Sequence, residues 1–307
     1  MTKTVRRLPP LNALRAFDAA ARHQSFKDAA AELGLTHGAV SYQIRQLEDW
    51  LGPPGLFERG NRRVTLTPAG RAFQGEVAAA LGRIASAARR HADQAGRAGR
   101  RVLTVNALAT FALRWLLPRL GDFRRSHPAI DVRLSTSSDA VDSLPERHDV
   151  VIRRGPDSFH GYVAEPFLVE HRLPVCSPAA LRRHRLRRPE DLRHHTLLHA
   201  ATQPRLWPDW LAMAGLRDVE PAGVLVLDHN YLALQAAIDG LGIAIGPTAL
   251  VASDLAAGRL VAPFSSPLLP SRSYCAYVPE GTDEDAAIRD FRAWLRRIGA
   301  ADQGRKA

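Results

Sequence analysis

The segment FKDAAAELGLTHGAVSYQIR, Phe26 to Arg45, decides how the first third of this chain folds. Ser25 has the side chain of a helix N-cap, and Asp28 places a carboxylate in the first turn, where the helix dipole favours it. A helix over 26–33 is therefore expected. Gly34 ends it, because glycine takes the left-handed backbone that closes a helix. Thr36 then caps a third helix running to about Leu51. Upstream, Leu11, Leu14, Phe17 and Ala21 recur at helical spacing and predict a first helix over 11–22. Ala30 is small enough for a close helix crossing, and Ala29, Leu33, Leu35 and Val40 are expected to fill the shared core. An ordinary helical hairpin needs only apolar spacing. The register of Ala30, Gly34 and Val40 in a basic segment points instead to a helix-turn-helix that reads duplex DNA.

The third helix has two faces. Val40, Ile44, Leu47 and Leu51 fall on one stripe and are assigned to the core. Opposite lie Gly38, Tyr42, Arg45 and Asp49, with His37 and Ser41 beside them. This is the face expected in a major groove: Arg45 suits a guanine edge or a phosphate, and Tyr42 and Ser41 suit bases or backbone. Thr36 starts the helix, where free amides favour a phosphate. Ser25 and His37 complete the set of candidate contacts on the helix-turn-helix.

LFERGNRRVTLTPAG follows. Phe57, Val64 and Leu66 suit a two-stranded ribbon closed by the turn pair Gly60-Asn61. Arg59, Arg62 and Arg63 cluster at its tip, as in a wing whose arginines meet phosphates or a minor groove. Thr67 and Pro68 then supply the cap and first-turn proline of a long helix over 68–95. Along it Phe73, Val77, Ala80, Ile84, Ala87 and His91 alternate spacings of four and three. That pattern predicts pairing with a second copy of the chain.

Charge agrees with this reading. The 307 residues carry 42 Lys and Arg against 31 Asp and Glu, net +11; residues 1–100 hold 16 and 8 of these, net +8, so the excess sits beside the helix-turn-helix. The same composition excludes several enzymes. Lys3, Lys27 and Lys306 are the only lysines, and none follows a glycine, so there is no phosphate-binding Walker sequence. Cys176 and Cys275 cannot build a disulfide framework or a multi-cysteine zinc site. His195 and His199 have metal-like spacing but fall in a strand-like segment, where that spacing shares no helical face. There is no G-x-S-x-G nucleophile elbow. GLGIAIG at 240–246 lies between a helix and a strand, the reverse of a dinucleotide loop. No catalytic residue, metal or cofactor is expected. Pro9, Pro10 and Asn12 fall where a signal peptide would be apolar, and no run approaches a membrane span, so a cytoplasmic protein with no membrane contact is expected.

From residue 101 onward, strand-like segments (102–106, 130–134, 149–152, 163–168, 172–176, 196–199, 224–227, 242–246 and 273–278) alternate with helices starting near Thr110, Asp139, Ser177, Trp207, Asn230, Thr248 and Thr282. The pattern reads as α/β.

AFDAAARHQSFKDAAAELGLTHGAVSYQIRQLEDWLG with LFERGNRRVTLTPAG resembles the DNA-binding end of LysR-type transcriptional regulators. FALRWLLPRLGDFRRSHPAIDVRLS, the DVVIRRG segment at 149–155, and ALQAAIDGLGIAIGPTALVASDLAAGRLVAPF resemble that family's effector domain. The likeness covers residues 8–298, and the branch it most resembles contains regulators of glycine cleavage and of β-lactamase. It departs at His37-Gly38, where Gln-Pro or Gln-Ala is commoner, and at Pro53-Pro54 before the wing.

The resemblance implies a winged helix-turn-helix domain over 8–67, a linker and dimerisation helix over 68–98, and an effector domain over 99–307. That domain is periplasmic-binding-protein-like, with two Rossmann-like lobes: 101–168 plus 269–307, and 169–268. It also implies a homodimer or homotetramer on an inverted-repeat promoter site, a small anionic effector, and RNA polymerase left open as a further partner. Ligands of such sheets bind at the carboxyl ends of strands. The candidate effector contacts are therefore Asn106, Thr110, Ser135, Arg153, His199, His229 and Asn230. Asp142 joins them because it falls where the β-lactamase branch has a functional acid. Family members commonly have small hydroxyl residues where this chain has Leu108 and His229-Asn230. The rival reading is a solute-binding protein with two α/β lobes, against which the basic N-terminal third argues.

Overall fold

A computed structural model describes residues 8–59, 64–96, 100–144, 146–216, 219–264, 267–282 and 284–304. The chain divides into two compact units, Met1–Gly96 and Arg97–Ala307.

The first unit holds α1 (Leu11–His23), α2 (Phe26–Leu33), α3 (His37–Leu51), β1 (Phe57–Arg59), β2 (Val64–Leu66) and α4 (Pro68–Gly96). The caps act as the sequence predicts: Ser25 Oγ accepts from Asp28 N, and Thr36 Oγ1 accepts from Ala39 N, each at 3.2 Å. Gly34 has φ +64°, and Leu35 N closes the turn onto Ala30 O at 2.9 Å. The core is built largely from alanine. Ala13, Ala16, Ala20, Ala29 and Ala30 are buried, and their small side chains bring α1, α2 and α3 close enough to enclose Phe17, Val40, Ile44 and Leu47. Phe17 meets Phe57 of the ribbon and Phe73 of α4, both at 5.5 Å between ring centroids. Val77 is buried in the same cluster, so the first part of the α4 stripe packs within its own chain.

Two core assignments need correction. Leu35 is 47% exposed because it follows the left-handed Gly34 and is turned outward. Leu51 is 36% exposed because the stripe is covered only as far as Leu47; it is the last residue of α3 and precedes Gly52 at φ +75°.

In the first unit, Gly70 is required by space. A Cβ at Gly70 would lie 2.1 Å from Leu56 O, so α4 starts directly against the chain entering the ribbon. Thr67 Oγ1 secures the same junction, donating to Gly55 O at 2.8 Å and accepting from Gly70 N at 2.9 Å.

The second unit contains, in chain order, β3 (Arg101–Ala107), α5 (Ala109–Phe111) continuing through a π turn (Ala112–Leu116) into α6 (Leu117–Ser126), β4 (Ile130–Thr136), β5 (Val150–Gly155), β6 (Tyr162–Val175), α7 (Pro178–Arg183), β7 (Thr196–Ala200), α8 (Leu206–Met213), β8 (Gly223–Leu227), α9 (Asn230–Ile238), β9 (Ile243–Pro247), α10 (Thr248–Ala256), β10 (Leu269–Pro279) and α11 (Ala286–Gly304). The expected helix at Asp139 is only a 3-10 turn over Val141–Ser143, and the expected strands 163–168 and 172–176 are one 14-residue strand.

The eight strands form one mixed sheet in the order β4-β3-β5-β10-β6-β9-β7-β8. β6 pairs with β10 over 162–172 and with β9 over 172–175. The hydrophobic clusters follow this division. One gathers β3, β5, the α5–α6 helix and α11 around Phe111, Trp115 and Phe291. Two others gather β7, β9, α8 and α9 around Trp207, Trp210 and Leu234.

Two outcomes test this packing. Gly70→Ala is expected to cost about 1–3 kcal/mol through overpacking, read as faster hydrogen exchange at α1 and α3 amides. The second concerns Glu32, held to a pKa of about 2 by Arg22 at 2.6 Å and His23 at 2.6 Å. A depressed carboxyl stabilises the fold in full above its ordinary value near 4.5 and loses that contribution as pH falls toward 2. Glu32→Gln is expected to flatten the acid limb of a stability–pH profile for the first unit.

Candidate functional site

The α3 face opposite the Val40–Ile44–Leu47 stripe is open. Thr36, His37, Gly38, Tyr42, Arg45 and Asp49 are exposed and Ser41 is half-buried. Tyr42, a large aromatic, is 59% exposed on the side of α3 opposite the buried Val40, Ile44 and Leu47. Arg45 Nε donates to Ser41 O at 3.3 Å, which lays the guanidinium along the helix surface. The ribbon pairs Phe57 with Leu66 and Arg59 with Val64. Glu48 Oε1 accepts from Leu56 N at 2.9 Å and Phe57 N at 3.3 Å, so α3 fixes the chain entering the ribbon. Gly60, Asn61, Arg62 and Arg63 lie outside the described residues, as do the side chains of Arg59 and His91.

The second unit has a cleft of about 560 Å³ lined by β5, β6, β10, the start of the α5–α6 helix, the loop after β4, the loop after β7 and the start of α9. Thr110, His229 and Asn230, three of the eight predicted contacts, line it. Both helix starts were legible from the sequence because each follows a strand end.

The other five do not line it, although Arg153 lines an adjoining recess with Ser138, Asp139 and Arg154, and His199 another with Gln203 and Asn230. Asn106 is buried beneath the cleft, donating to Ser135 Oγ at 2.9 Å and accepting from Arg153 Nη2 at 2.6 Å. Arg153 also donates to Asp139 O, Ile152 O and Ser137 Oγ, so its guanidinium braces the 137–139 loop. Burial lowers its pKa to about 10, which leaves it a cation at neutral pH. Ser135 bonds Asn106 and His148 on the edge strand. Asp142 is exposed beside Ser143 on the 3-10 turn. His199 packs on Trp207 at 6.4 Å and is shifted toward its neutral form by burial. His195 is buried with its ring edge on His184 at 5.8 Å; among the described residues no group of three or more His, Cys, Asp or Glu is arranged to hold a metal.

The cleft also holds residues that sequence reasoning missed: Arg154, Arg172, Gln203 and Tyr274. For Arg154 the signal was present. In a strand, alternate residues share a face; Val150 and Ile152 enter one core and Val151 another. Arg154 therefore continues the Val150–Ile152 face, and Arg153 turns the other way. Arg172 is 4% exposed and Tyr274 3% exposed. Burial pushes the Tyr274 phenol above its ordinary pKa, so it is a neutral hydroxyl in the cleft floor.

A helix-turn-helix with an open recognition face, joined to an α/β unit with a polar cleft, defines a DNA-binding regulator with a ligand-responsive domain. Residues 11–71 match the bacterial regulatory helix-turn-helix of the lysR family, and residues 96–300 match the LysR substrate binding domain. The chain belongs to the LysR family of transcription regulators. It is 40% identical to the glycine cleavage system transcriptional activator of Escherichia coli K12, over 97% of this chain and 96% of that one. It is 39% identical to the transcriptional activator AmpR of Pseudomonas aeruginosa, over 95% and 97%. The solved effector domain of that AmpR superposes with TM-score 0.58 at 34% identity, covering 68% of this chain and all of that one. The solute-binding alternative leaves the helix-turn-helix match without a role.

Proposed function

We propose that this regulator reads duplex DNA with Thr36, His37, Ser41, Tyr42 and Arg45 of α3, with Ser25 and Arg59, Arg62 and Arg63 on the flanking backbone. The exposed α3 face carries this reading. Its polar residues share one side of a helix whose other side is anchored in the core, the arrangement that lets a rigid helix enter a major groove. The charge excess of the first hundred residues supplies phosphate attraction.

The regulator works as a homodimer or homotetramer on an inverted-repeat promoter site. Ile84 is 56% exposed on α4, with Ala87 and Ala88 exposed beyond it, a small-residue surface suited to a second copy. A small anionic effector enters the cleft and shifts the population of DNA-binding states, which requires different affinity for those states and not binding alone. The relatives are named as activators, and we extend that direction to this chain, with RNA polymerase as a further partner. The protein acts by binding, without catalysis. A cytoplasmic location fits this role, and among the described residues no helix is long and apolar enough to cross a membrane.

Arg45→Ala is expected to weaken operator binding by roughly 1–3 kcal/mol with the fold intact, measured by footprinting titration; unchanged affinity contradicts the assignment of α3. A fragment ending at Gly96 is expected to sediment as a dimer that binds DNA, and a strictly monomeric fragment contradicts pairing through α4.

A further inference from the structure

We propose that the exposed arginines of residues 182–194 form a second DNA-contacting surface, carried by the second unit, which grips duplex phosphates and reads no base. The proposal rests on the reading of this chain as a regulator that binds duplex DNA. Residues 101–307 carry 26 Lys and Arg against 23 Asp and Glu, net +3, whereas RRHRLRRPEDLRH at 182–194 carries six against two, net +4. The rest of 101–307 is therefore net −1. Arg182, Arg183, Arg185, Arg187, Arg188 and Arg193 are all exposed. The net positive charge of this part of the chain is thus gathered on one connection, from the end of α7 to β7.

The fold fixes this connection from beneath. Leu186 and Leu192 are buried in the cluster around Trp207 and Trp210, with Leu181 of α7 packed against it. Asp191 Oδ2 accepts from Arg187 N at 2.9 Å and Arg188 N at 3.2 Å, so one of the two acids is spent on holding the backbone ahead of a 3-10 turn over Pro189–His194. Arg188 faces both acids, Asp191 at 3.5 Å and Glu190 at 4.0 Å. The other arginines meet neutral acceptors or none. Arg183 Nη1 donates to Gly240 O at 3.4 Å, and Arg193 Nε to His194 Nε2 at 2.9 Å. Among the described residues, Arg182, Arg185 and Arg187 have no carboxylate within ion-pair distance.

Like charges held this close repel one another, and a polyanion offsets that repulsion. The chemistry of the surface selects which polyanion. No apolar side chain of 182–194 is exposed, so the segment lacks the apolar and aromatic centre around which protein interfaces form. Phosphate contact needs no such centre, and guanidinium forks match phosphate oxygens. Duplex DNA is the polyanion that this regulator already meets. The position suits a contact separate from the effector. β7 runs parallel to β8 and β9, and the cleft lies where these strands finish, at Gln203, Asn230 and Pro247. The arginines precede β7, and Arg183 meets the turn at Gly240 that precedes β9. They therefore sit at the opposite end of these strands from the cleft, and an occupied cleft leaves them open to DNA.

The test uses the full chain, a mixed-sequence duplex several helical turns long, and a salt titration of affinity by fluorescence anisotropy. Arg185→Gln/Arg187→Gln/Arg193→Gln leaves Leu186, Leu192 and Asp191 in place. It is expected to lower the slope of log affinity against log salt by about 2.7, three contacts at about 0.9 each. Between about 50 and 200 mM salt, its affinity then falls about fortyfold less than that of the wild type. Arg185→Lys/Arg187→Lys/Arg193→Lys keeps the charge and is expected to keep the slope. Arg205→Gln/Arg289→Gln/Arg297→Gln removes as many arginines from the same unit, each paired with an acid (Asp209, Asp290 and Asp122), and is expected to leave the slope unchanged. Single glutamine variants, each lowering the slope by about 0.9, carry the test if the triple fails to fold. A loop variant with the wild-type slope overturns the proposal, as does a control variant that lowers it equally. Poly-glutamate and phosphatidylglycerol vesicles are the remaining arms. A loop variant that loses affinity for either while keeping its duplex slope assigns the surface to an acidic protein or a membrane and overturns the DNA contact. Arg45→Ala on a duplex selected for binding separates this surface from α3. Weakened specific binding there, with an unchanged slope in the loop variant, overturns the loop contact alone; a lowered slope in the loop variant, with no effect of Arg45→Ala, overturns the reading by α3 alone.

Discussion

The pairing of β6 with β10 carries the architecture of the second unit. Each is long enough to serve more than one part of the sheet: β10 joins β5 to β6, and β6 continues past β10 to join β9. Without that ladder, the cluster around Phe111 and Trp115 and the clusters around Trp207 and Leu234 would have no shared backbone. The ladder is irregular between Ser271 and Cys275, and bulges of this kind re-aim side chains beside functional sites. Here the irregular stretch carries Tyr274 into the cleft and sets Ser271 against Arg172. A second tie crosses the same region. Asp254 of α10, buried, accepts from Arg114 in the π turn and from Arg259 at 2.7 Å. The helix that opens at the cleft with Thr110 is thereby linked to the helix whose first turn Glu170 holds.

Much of the first unit was legible because local chemistry and global packing agree there. Ser25, Gly34 and Thr36 specify caps and a turn whatever surrounds them, and the apolar stripe of α3 follows from spacing alone. The failures are positions where tertiary cover decides. Leu35 and Leu51 fit the pattern of core residues, yet the turn at Gly34 and the end of α3 leave them uncovered.

In the second unit the sequence reading broke one strand into two at Val169–His171, because Glu170, His171 and Arg172 interrupt an apolar run. That interruption marks the cleft. Glu170 is tolerated because the first turn of α10 donates to it, and Arg172 because Ser271 Oγ and Gln203 Oε1 accept from it. Polar residues that violate a strand pattern are expected at functional sites, where the fold compensates them. Gln203 had no comparable signal. It lies on a loop beyond β7, and only the return of that loop over the sheet brings it to Arg154 and Arg172. Arg153 and Arg154 take opposite faces of β5, since a one-residue step reverses the face; Arg154 lines the cleft of about 560 Å³, and Arg153 braces the loop beside it.

In the proposed function a rigid α3 face, presented in pairs, reads a specific duplex. Selection of bound sites from a random pool of duplex DNA tests it most directly. Inverted repeats whose half-sites are centred about one helical turn apart are expected to be enriched. Failure to enrich any sequence, or enrichment of a single unpaired half-site, would contradict it.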